Sequence, residues 1–310
     1  MAKPIKRVTI IGTGVIGASW AALFLAKGLE VVATDIAPDA KKKLDDFISA
    51  AWPALEQLGL ASGAAPSKLE FTDNLDAALA GSDLIQENGP ERIDFKKDLY
   101  RRLDEALAPD VIIASSSSGL TMSEIQSACA NHPERCVIGH PFNPPHLIPL
   151  VEIVGGAKTS EETIERVSAF YRGLGKKTIR LRKEVPGHVA NRLQAALFRE
   201  VVHLIAEGVV SVADADTAVC WGPGLRWGVM GPTLLFHLAG GQGGIEHFFD
   251  QFTVPMNAWW KVLGSPQIDA KVREAVVAGV LDEAGKRSFD DLAAQRDRGL
   301  LGLLALRASE

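Results

Sequence analysis

The chain has 310 residues, 47% of them hydrophobic, and a formal net charge of −5. That length predicts two domains, each able to bury its own core. The acidic balance argues against nucleic acid or an anionic membrane surface as partner, and no run of about 18 unbroken apolar residues offers a membrane span.

Residues 8–11 are a β-branched run suited to a strand buried on both faces, and residues 15–27 are helix-forming with Gly28 as the stop. Between them Gly12, Gly14 and Gly17 stand at G-x-G-x-x-G spacing. Gly12 allows the turn, Gly14 lets a pyrophosphate approach the backbone, and Gly17 lets the helix pack closely on its strand. The anion then sits on a helix N-terminus whose first residues are Val15 and Ile16. Residues 30–35 read as a second strand ending in Asp35, 18 residues past Gly17. A carboxylate there can accept both ribose hydroxyls; the alternative is that it caps the next helix. It repels a 2′-phosphate and no Arg follows directly, so the cofactor is NAD rather than NADP. Lys41, Lys42 and Lys43 form a solvated helix face.

Residues 38–59 are helical, with Leu44, Phe47, Ile48, Ala51 and Leu55 on one side. After a loop over 61–67, residues 69–71 read as a strand and 74–80 as a helix. Strands at 84–87 and 111–114 flank a helix at 95–107. Strands at 137–139 and 151–154 follow, then a helix at 161–173 and a strand at 177–181. The pattern predicts an α/β fold with a doubly wound, Rossmann-type parallel sheet. Composition changes at Pro186-Gly187, and no convincing strand follows. We therefore expect a cofactor-binding domain over 1–185 and an all-helical substrate and dimerisation domain over 186–310. Val189, Leu193, Leu197, Val201 and Leu204 make one apolar face of a long helix, which predicts a homodimer; core packing is the competing use.

Ligands of open parallel sheets lie beyond the carboxyl ends of the strands, so polar residues just after strands are candidates. Ser115 to Ser118 follow one strand. His140 follows another in Gly-His-Pro-Phe-Asn-Pro-Pro, and Glu152 sits in Leu-Val-Glu-Ile-Val. Oxidation of an alcohol needs a base for the hydroxyl proton, which a neutral histidine supplies near neutral pH. A carboxylate behind the ring orients it and stabilises its protonated form. The alternatives are a histidine held by a loop carbonyl and a strand acid in a structural ion pair. Cys129, Cys136 and Cys220 are scattered, suggesting neither a disulfide framework nor a metal site, and fit a reducing cytoplasm. Residues 1–7 lead straight into a strand rather than an apolar signal region, so no export signal is expected.

Taken in order, these motifs resemble the 3-hydroxyacyl-CoA dehydrogenase superfamily over nearly the whole chain. Gly12 to Gly17 matches its dinucleotide loop, and Glu87-Asn88-Gly89-Pro90-Glu91-Arg92 is similar to its Glu-x-x-Pro-Glu segment. Ala-Ser-Ser-Ser-Ser-Gly-Leu (114–120) resembles Ala-Ser-Asn-Thr-Ser-Ser-Leu. Gly-His-Pro-Phe-Asn-Pro (139–144) resembles Gly-His-Phe-Phe-Asn-Pro, and Pro-Gly-His-Val-Ala-Asn-Arg-Leu (186–193) resembles Pro-Gly-Phe-x-x-Asn-Arg-Leu. The resemblance implies that His140 is the catalytic base and Glu152 its paired carboxylate. It implies that Ser118 and Asn191 bind the substrate oxygen, that Glu91 and Lys96 contact the cofactor, as Ser118 does, and that Asn143 lines the same cleft.

One segment departs from the acyl-CoA enzymes: Gly222-Pro223-Gly224-Leu225-Arg226-Trp227 brings an arginine. It is similar to the branch that works on free 3-hydroxy acids such as L-carnitine and L-gulonate, a branch that also holds lambda-crystallin. A guanidinium grips a carboxylate through two hydrogen bonds, a reason for Arg226 that a thioester does not supply; pairing with Asp216 is the structural alternative. The expected reaction is NAD-dependent oxidation of a small L-3-hydroxy acid, L-carnitine first. L-gulonate, an acyl-CoA, or a bulk structural role are the alternatives. Trp221, Trp227, Phe236, Phe248, Phe249, Phe252, Trp259 and Trp260 crowd the helical half. Helical spacing predicts that most are core, while a cage for a quaternary ammonium would place Trp227 beside Arg226.

Overall fold

The computed structural model describes residues 3–307. The chain divides into two compact units, Met1–Arg192 and Leu193–Glu310. The first holds β1 (Arg7–Ile11), α1 (Val15–Ala26), β2 (Glu30–Thr34), α2 (Ala40–Leu58), β3 (Leu69–Thr72), α3 (Leu75–Leu79), β4 (Leu84–Glu87), α4 (Ile93–Ala106) and β5 (Ile112–Ser115). It continues with α5 (Met122–Ile125), β6 (Cys136–Pro141), β7 (Leu150–Gly155), α6 (Glu161–Gly173) and β8 (Lys177–Arg180). One sheet carries the strands in the order β3-β2-β1-β4-β5-β6-β7-β8.

Side chains alternate between the two faces along each strand. Val8 and Ile10 of β1, with Val31 and Ala33 of β2, pack on Trp20, Phe24 and Leu25 of α1, and α2 adds Leu44, Ile48 and Leu55. On the opposite face Ile85, Ile113 and Ile138 meet Tyr100 and Leu103 of α4 and Met122 and Ile125 of α5. The four-, three- and four-residue steps of Leu44, Ile48, Ala51 and Leu55 put them on one stripe of α2. Its outer face carries Lys41–Asp45 and Lys42–Asp46 pairs, each at 2.6 Å. Burying each large aliphatic side chain of that stripe contributes roughly 1.5–3 kcal/mol, so Leu44→Ala alone would cost about 2–5 kcal/mol.

The sheet is not parallel throughout, as the sequence reading has it. The strands from β3 to β6 are parallel, but β7 runs antiparallel to β6 and β8 follows β7. Only residues 142–149 separate β6 from β7. A parallel return needs a crossover of a dozen or more residues, so the chain must turn straight back.

The second unit is helical: α7 (Ala190–Ala206) begins just ahead of it, followed by α8 (Val212–Trp221), α9 (Pro223–Trp227), α10 (Pro232–Ala239), α11 (Gly244–Val262), α12 (Ala270–Ala284) and α13 (Phe289–Arg307). The expectation that most of its aromatics are core is corrected here. Phe248 is buried, stacked on Phe236 at 4.6 Å and Phe252 at 5.0 Å, while Trp221, Phe249, Trp259 and Trp260 are exposed. Along α7, Val202 is buried, whereas Leu193 is 66% exposed and Leu197 and Phe198 are exposed with it. Helical periodicity finds an apolar face but not what covers it: Val201 and Leu204 are half-buried, and the exposed positions lie in the first half of the helix. Among the described residues no helix is long and apolar enough to cross a membrane.

Candidate active site

The glycine turn after β1 is built as its spacing requires. Gly12 has φ +84°, and a side chain there would collide with the Asn88 carbonyl at 2.8 Å. A Cβ on Gly17 would lie 1.9 Å from the Gly12 oxygen, so α1 can start this close only with glycine. At Gly14, by contrast, a would-be Cβ meets nothing within 4 Å among the described residues beyond its own chain neighbours. The side-chain space of Gly14 is open, which suits a ligand laid against the backbone. The first N–H groups of α1, from Val15 and Ile16, precede any acceptor within the helix.

Asp35 follows β2 and locks this turn. One oxygen accepts from Thr13 N at 2.7 Å and from its hydroxyl at 3.0 Å, and the other from Ala37 N at 2.8 Å. It does not cap α2, whose N-cap is Asp39. Burial works against its charge, but the Thr13 and Ala37 donors outweigh it and hold the carboxyl below its ordinary value. Asp35 also lines a cavity of about 1070 Å³ with Gly12, Gly14, Ile36, Asn88 and Pro90. Asp73, Asp76 and Asp98 add three carboxylates to its wall against the single cation Arg102, itself 2.7 Å from Asp76. Such a wall accepts ribose hydroxyls and repels an added phosphate, so these residues fit NAD.

Behind the turn lies a buried charged cluster. Lys96 of α4 is wholly buried, with Nζ 2.9 Å from both oxygens of Glu87 and 4.0 Å from Glu91. Ser115 donates to Glu87 at 2.6 Å. Glu91 clamps the serine loop: one of its oxygens accepts from the Ser117 hydroxyl (2.7 Å) and the backbone N–H groups of Ser118 (3.0 Å), Gly119 (2.6 Å) and Leu120 (3.2 Å). Burial raises the Glu91 pKa, yet these donors and Lys96 bring it below the usual carboxylate range. Ser118 itself is exposed above the clamp.

His140 lies inside β6, not after the strand as the sequence reading has it, and Glu152 lies inside β7, in the strand read over 151–154. They are opposed residues of the β6–β7 ladder, and both are buried. Their side chains meet, Nδ1 to Oε2, at 2.8 Å. A carboxylate only accepts, so Nδ1 carries the proton and Nε2 is left as a free base. The other Glu152 oxygen accepts from Val189 N (2.8 Å) and Ala190 N (3.1 Å) at the start of α7. Burial opposes ionisation of Glu152, but His140 and these two amides outweigh it and keep its pKa low. The arrangement can take a proton at Nε2 and stabilise the resulting imidazolium, as an orienting carboxylate does in hydrolytic triads.

Asn143 is exposed in the loop after β6, and Asn191 is half-buried in the first turn of α7. Arg226 and Trp227 belong to α9 of the second unit. Arg226 is exposed and forms no ion pair among the described residues, with Asp216 or any other acid, and Trp227 is 39% exposed. Sequence reasoning met Glu87 and His188 only as members of motifs and gave them no role: Glu87 anchors Lys96, and His188 is buried with its ring 4.9 Å from that of His140. The signal for His188 was the place where Pro-Gly-His departs from the Pro-Gly-Phe pattern.

Two family models match the chain: "3-hydroxyacyl-CoA dehydrogenase, NAD binding domain" over residues 7–185 and "3-hydroxyacyl-CoA dehydrogenase, C-terminal domain" over 187–278. The L-carnitine dehydrogenase of Streptomyces griseus is 50% identical over 300 residues, 97% of this chain and 89% of the relative. That of Pseudomonas putida is 46% identical over 307 residues, 99% of this chain and 95% of the relative. Among solved structures, FHMPC 5-dehydrogenase, described as an NAD+-dependent dismutase, superposes with a TM-score of 0.82 at 33% identity, covering 98% of each chain. The 3-hydroxybutyryl-CoA dehydrogenase of Escherichia coli gives 0.67 at 27% identity, over 89% of this chain and 57% of the other.

Proposed function

We propose that this chain, which belongs to the 3-hydroxyacyl-CoA dehydrogenase family and is an NAD-dependent oxidoreductase acting on a CH–OH group, oxidises L-carnitine at its 3-hydroxyl. The observation that carries the substrate is near-full-length identity to L-carnitine dehydrogenases, 43% to 50% across relatives from Oceanobacillus to Streptomyces.

In this reading Gly12, Gly14 and Gly17 with Val15 and Ile16 hold the pyrophosphate, and Asp35 the adenosine ribose. Glu91, Ser118 and Asn143 border the reactive end of the cofactor, and Lys96, whose side chain is wholly buried, serves it through Glu91, 4.0 Å away, and not by the direct contact the resemblance implies. NAD, when bound, supplies the acceptor for the hydride leaving C3. His140 Nε2 takes the hydroxyl proton, and Glu152 stabilises the imidazolium so formed. Ser118 and Asn191 bind the substrate oxygen, which holds the hydroxyl proton toward Nε2. Arg226 grips the free carboxylate, and Trp227 offers an aromatic face to the quaternary ammonium, which has no N–H to donate.

The division of labour is a cofactor-binding domain over 1–185 and a substrate and dimerisation domain over 186–310. The uncovered apolar side chains of α7 support a homodimer, and the three unpaired cysteines support a cytoplasmic setting. The test is NADH formation with L-carnitine, L-gulonate, 3-hydroxybutyrate and 3-hydroxybutyryl-CoA. The highest kcat/KM belongs to L-carnitine; preference for any of the other three sinks the substrate assignment.

A further inference from the structure

His188 occupies the position that is phenylalanine in the Pro-Gly-Phe pattern. It is 3% exposed, and its backbone lies in the left-handed region at φ +50°. A non-glycine residue keeps that conformation only where its surroundings over-determine it. Three contacts do so. Its ring packs on His140 with centroids 4.9 Å apart and planes at 56°. Its Nε2 lies 2.9 Å from the Ser117 carbonyl. The next two amides, Val189 and Ala190, are those that donate to Glu152. One turn of chain therefore touches the imidazole, its carboxylate and the serine loop.

The polar atoms fix the state of this ring. A carbonyl only accepts, so Nε2 carries the proton and Nδ1 is bare. Nδ1 is buried and has no hydrogen-bonding partner among the described residues. A proton there would have no acceptor and would place a positive charge against the ring of His140, which must itself receive the substrate's proton.

We propose that His188 is a positioning residue for the proton transfer: its Nε2–H anchors Ser117 while its ring face fixes the His140 imidazole, and a proton on its bare Nδ1 disables the pair. This rests on the reading of His140 as the base. The charged and titratable groups around the two rings are Glu152 from β7, Glu91 after β4 and, behind Glu91, Lys96 of α4. Burial pushes His188 down, the Ser117 bond acts the other way, and the charge on His140 lowers it further. A phenylalanine would keep the ring contact but lose both the tether and the titrating nitrogen.

The test uses the full chain, His188→Phe and His188→Asn; asparagine tolerates left-handed backbone. In the cofactor-free protein, the imidazole resonances of His140 followed by NMR against pH show two inflections in the unaltered chain and one in His188→Phe. With NAD and L-carnitine, kcat falls about tenfold to a hundredfold in both variants while NAD affinity stays level. The acid limb of log kcat/KM has a limiting slope of two in the unaltered chain and one in His188→Phe. A single His140 inflection in the unaltered chain overturns the coupling and needs no variant. A His188→Phe protein with kcat within about twofold of the unaltered one overturns the positioning role. If the unaltered chain turns over no hydroxy acid, the functional reading fails while the NMR result still decides for or against His188.

Discussion

His140 and Glu152 are cross-strand neighbours on antiparallel strands, opposite each other in register and joined at 2.8 Å. Directly opposed residues project to one face with Cβ atoms about 4.5–5.5 Å apart, so the ladder itself brings ring and carboxylate together. A slip of one residue would send them to opposite faces.

His140→Ala should lower kcat about 10²- to 10⁴-fold, the range for loss of a general base, and leave NAD affinity nearly unchanged. Glu152→Gln keeps the shape but loses the charge, and its one carbonyl oxygen cannot serve both His140 and the α7 amides. A fall of about 10²-fold or more is expected. Steady-state rates and NAD titration by fluorescence check both; near-normal turnover in either variant refutes proton transfer through this pair.

Asp35→Ala should narrow the preference for NAD over NADP by about tenfold to a hundredfold, because a carboxylate that accepts ribose hydroxyls also repels a phosphate. It should also lower the melting temperature, since Thr13 loses its acceptor. Equal affinity of the unaltered protein for the two cofactors would falsify the role of Asp35.

Arg226→Ala should raise KM for L-carnitine by the equivalent of about 2–4 kcal/mol and change the methyl ester little. Trp227→Leu should cost roughly 0.5–2 kcal/mol with L-carnitine and nothing with 3-hydroxybutyrate, which lacks the cation. If the acid and the ester lose equally, Arg226 does not bind the carboxylate.

Light scattering should report twice the mass of one chain at micromolar concentration. Leu197→Glu should shift it toward a single chain by placing a charge on the apolar face of α7. A single-chain mass for the unaltered protein would leave that face to some other use.

Lys176 ties down the loop between β6 and β7, donating to the carbonyls of Pro145 and Ile148. Burial, with a smaller push from Lys27, lowers its pKa from 10.5 to about 7. Between those values the unfolded chain holds a proton that the folded chain has lost, so this group's contribution to stability rises with pH from about 7 to 10.5. The melting temperature of the unaltered chain relative to Lys176→Met should therefore climb between about pH 6.5 and 9.5. A constant difference would mean that the two carbonyls hold Lys176 charged throughout.

Much of the cofactor-binding half was legible from local pattern. The β-branched run of β1, the three glycines and the acid after β2 each answer to a constraint within a few neighbouring residues, and the stripe of α2 follows from the helical period. The direction of β7 was not legible from apolar pattern alone, because a buried strand reads the same in either orientation. Only the short connection over 142–149 turned it back, and with it came the partnership of His140 and Glu152. The partners of Glu91, Glu152 and His188 lie far along the chain, in the serine loop, at the start of α7 and at Ser117. Hydrogen bonds between such segments depend on strand register and on where loops return, which no periodicity encodes. The same holds for the helical unit: periodicity marks its apolar faces, but only three-dimensional packing decides that Phe248 and Val202 are covered while Leu193 and Trp260 are not.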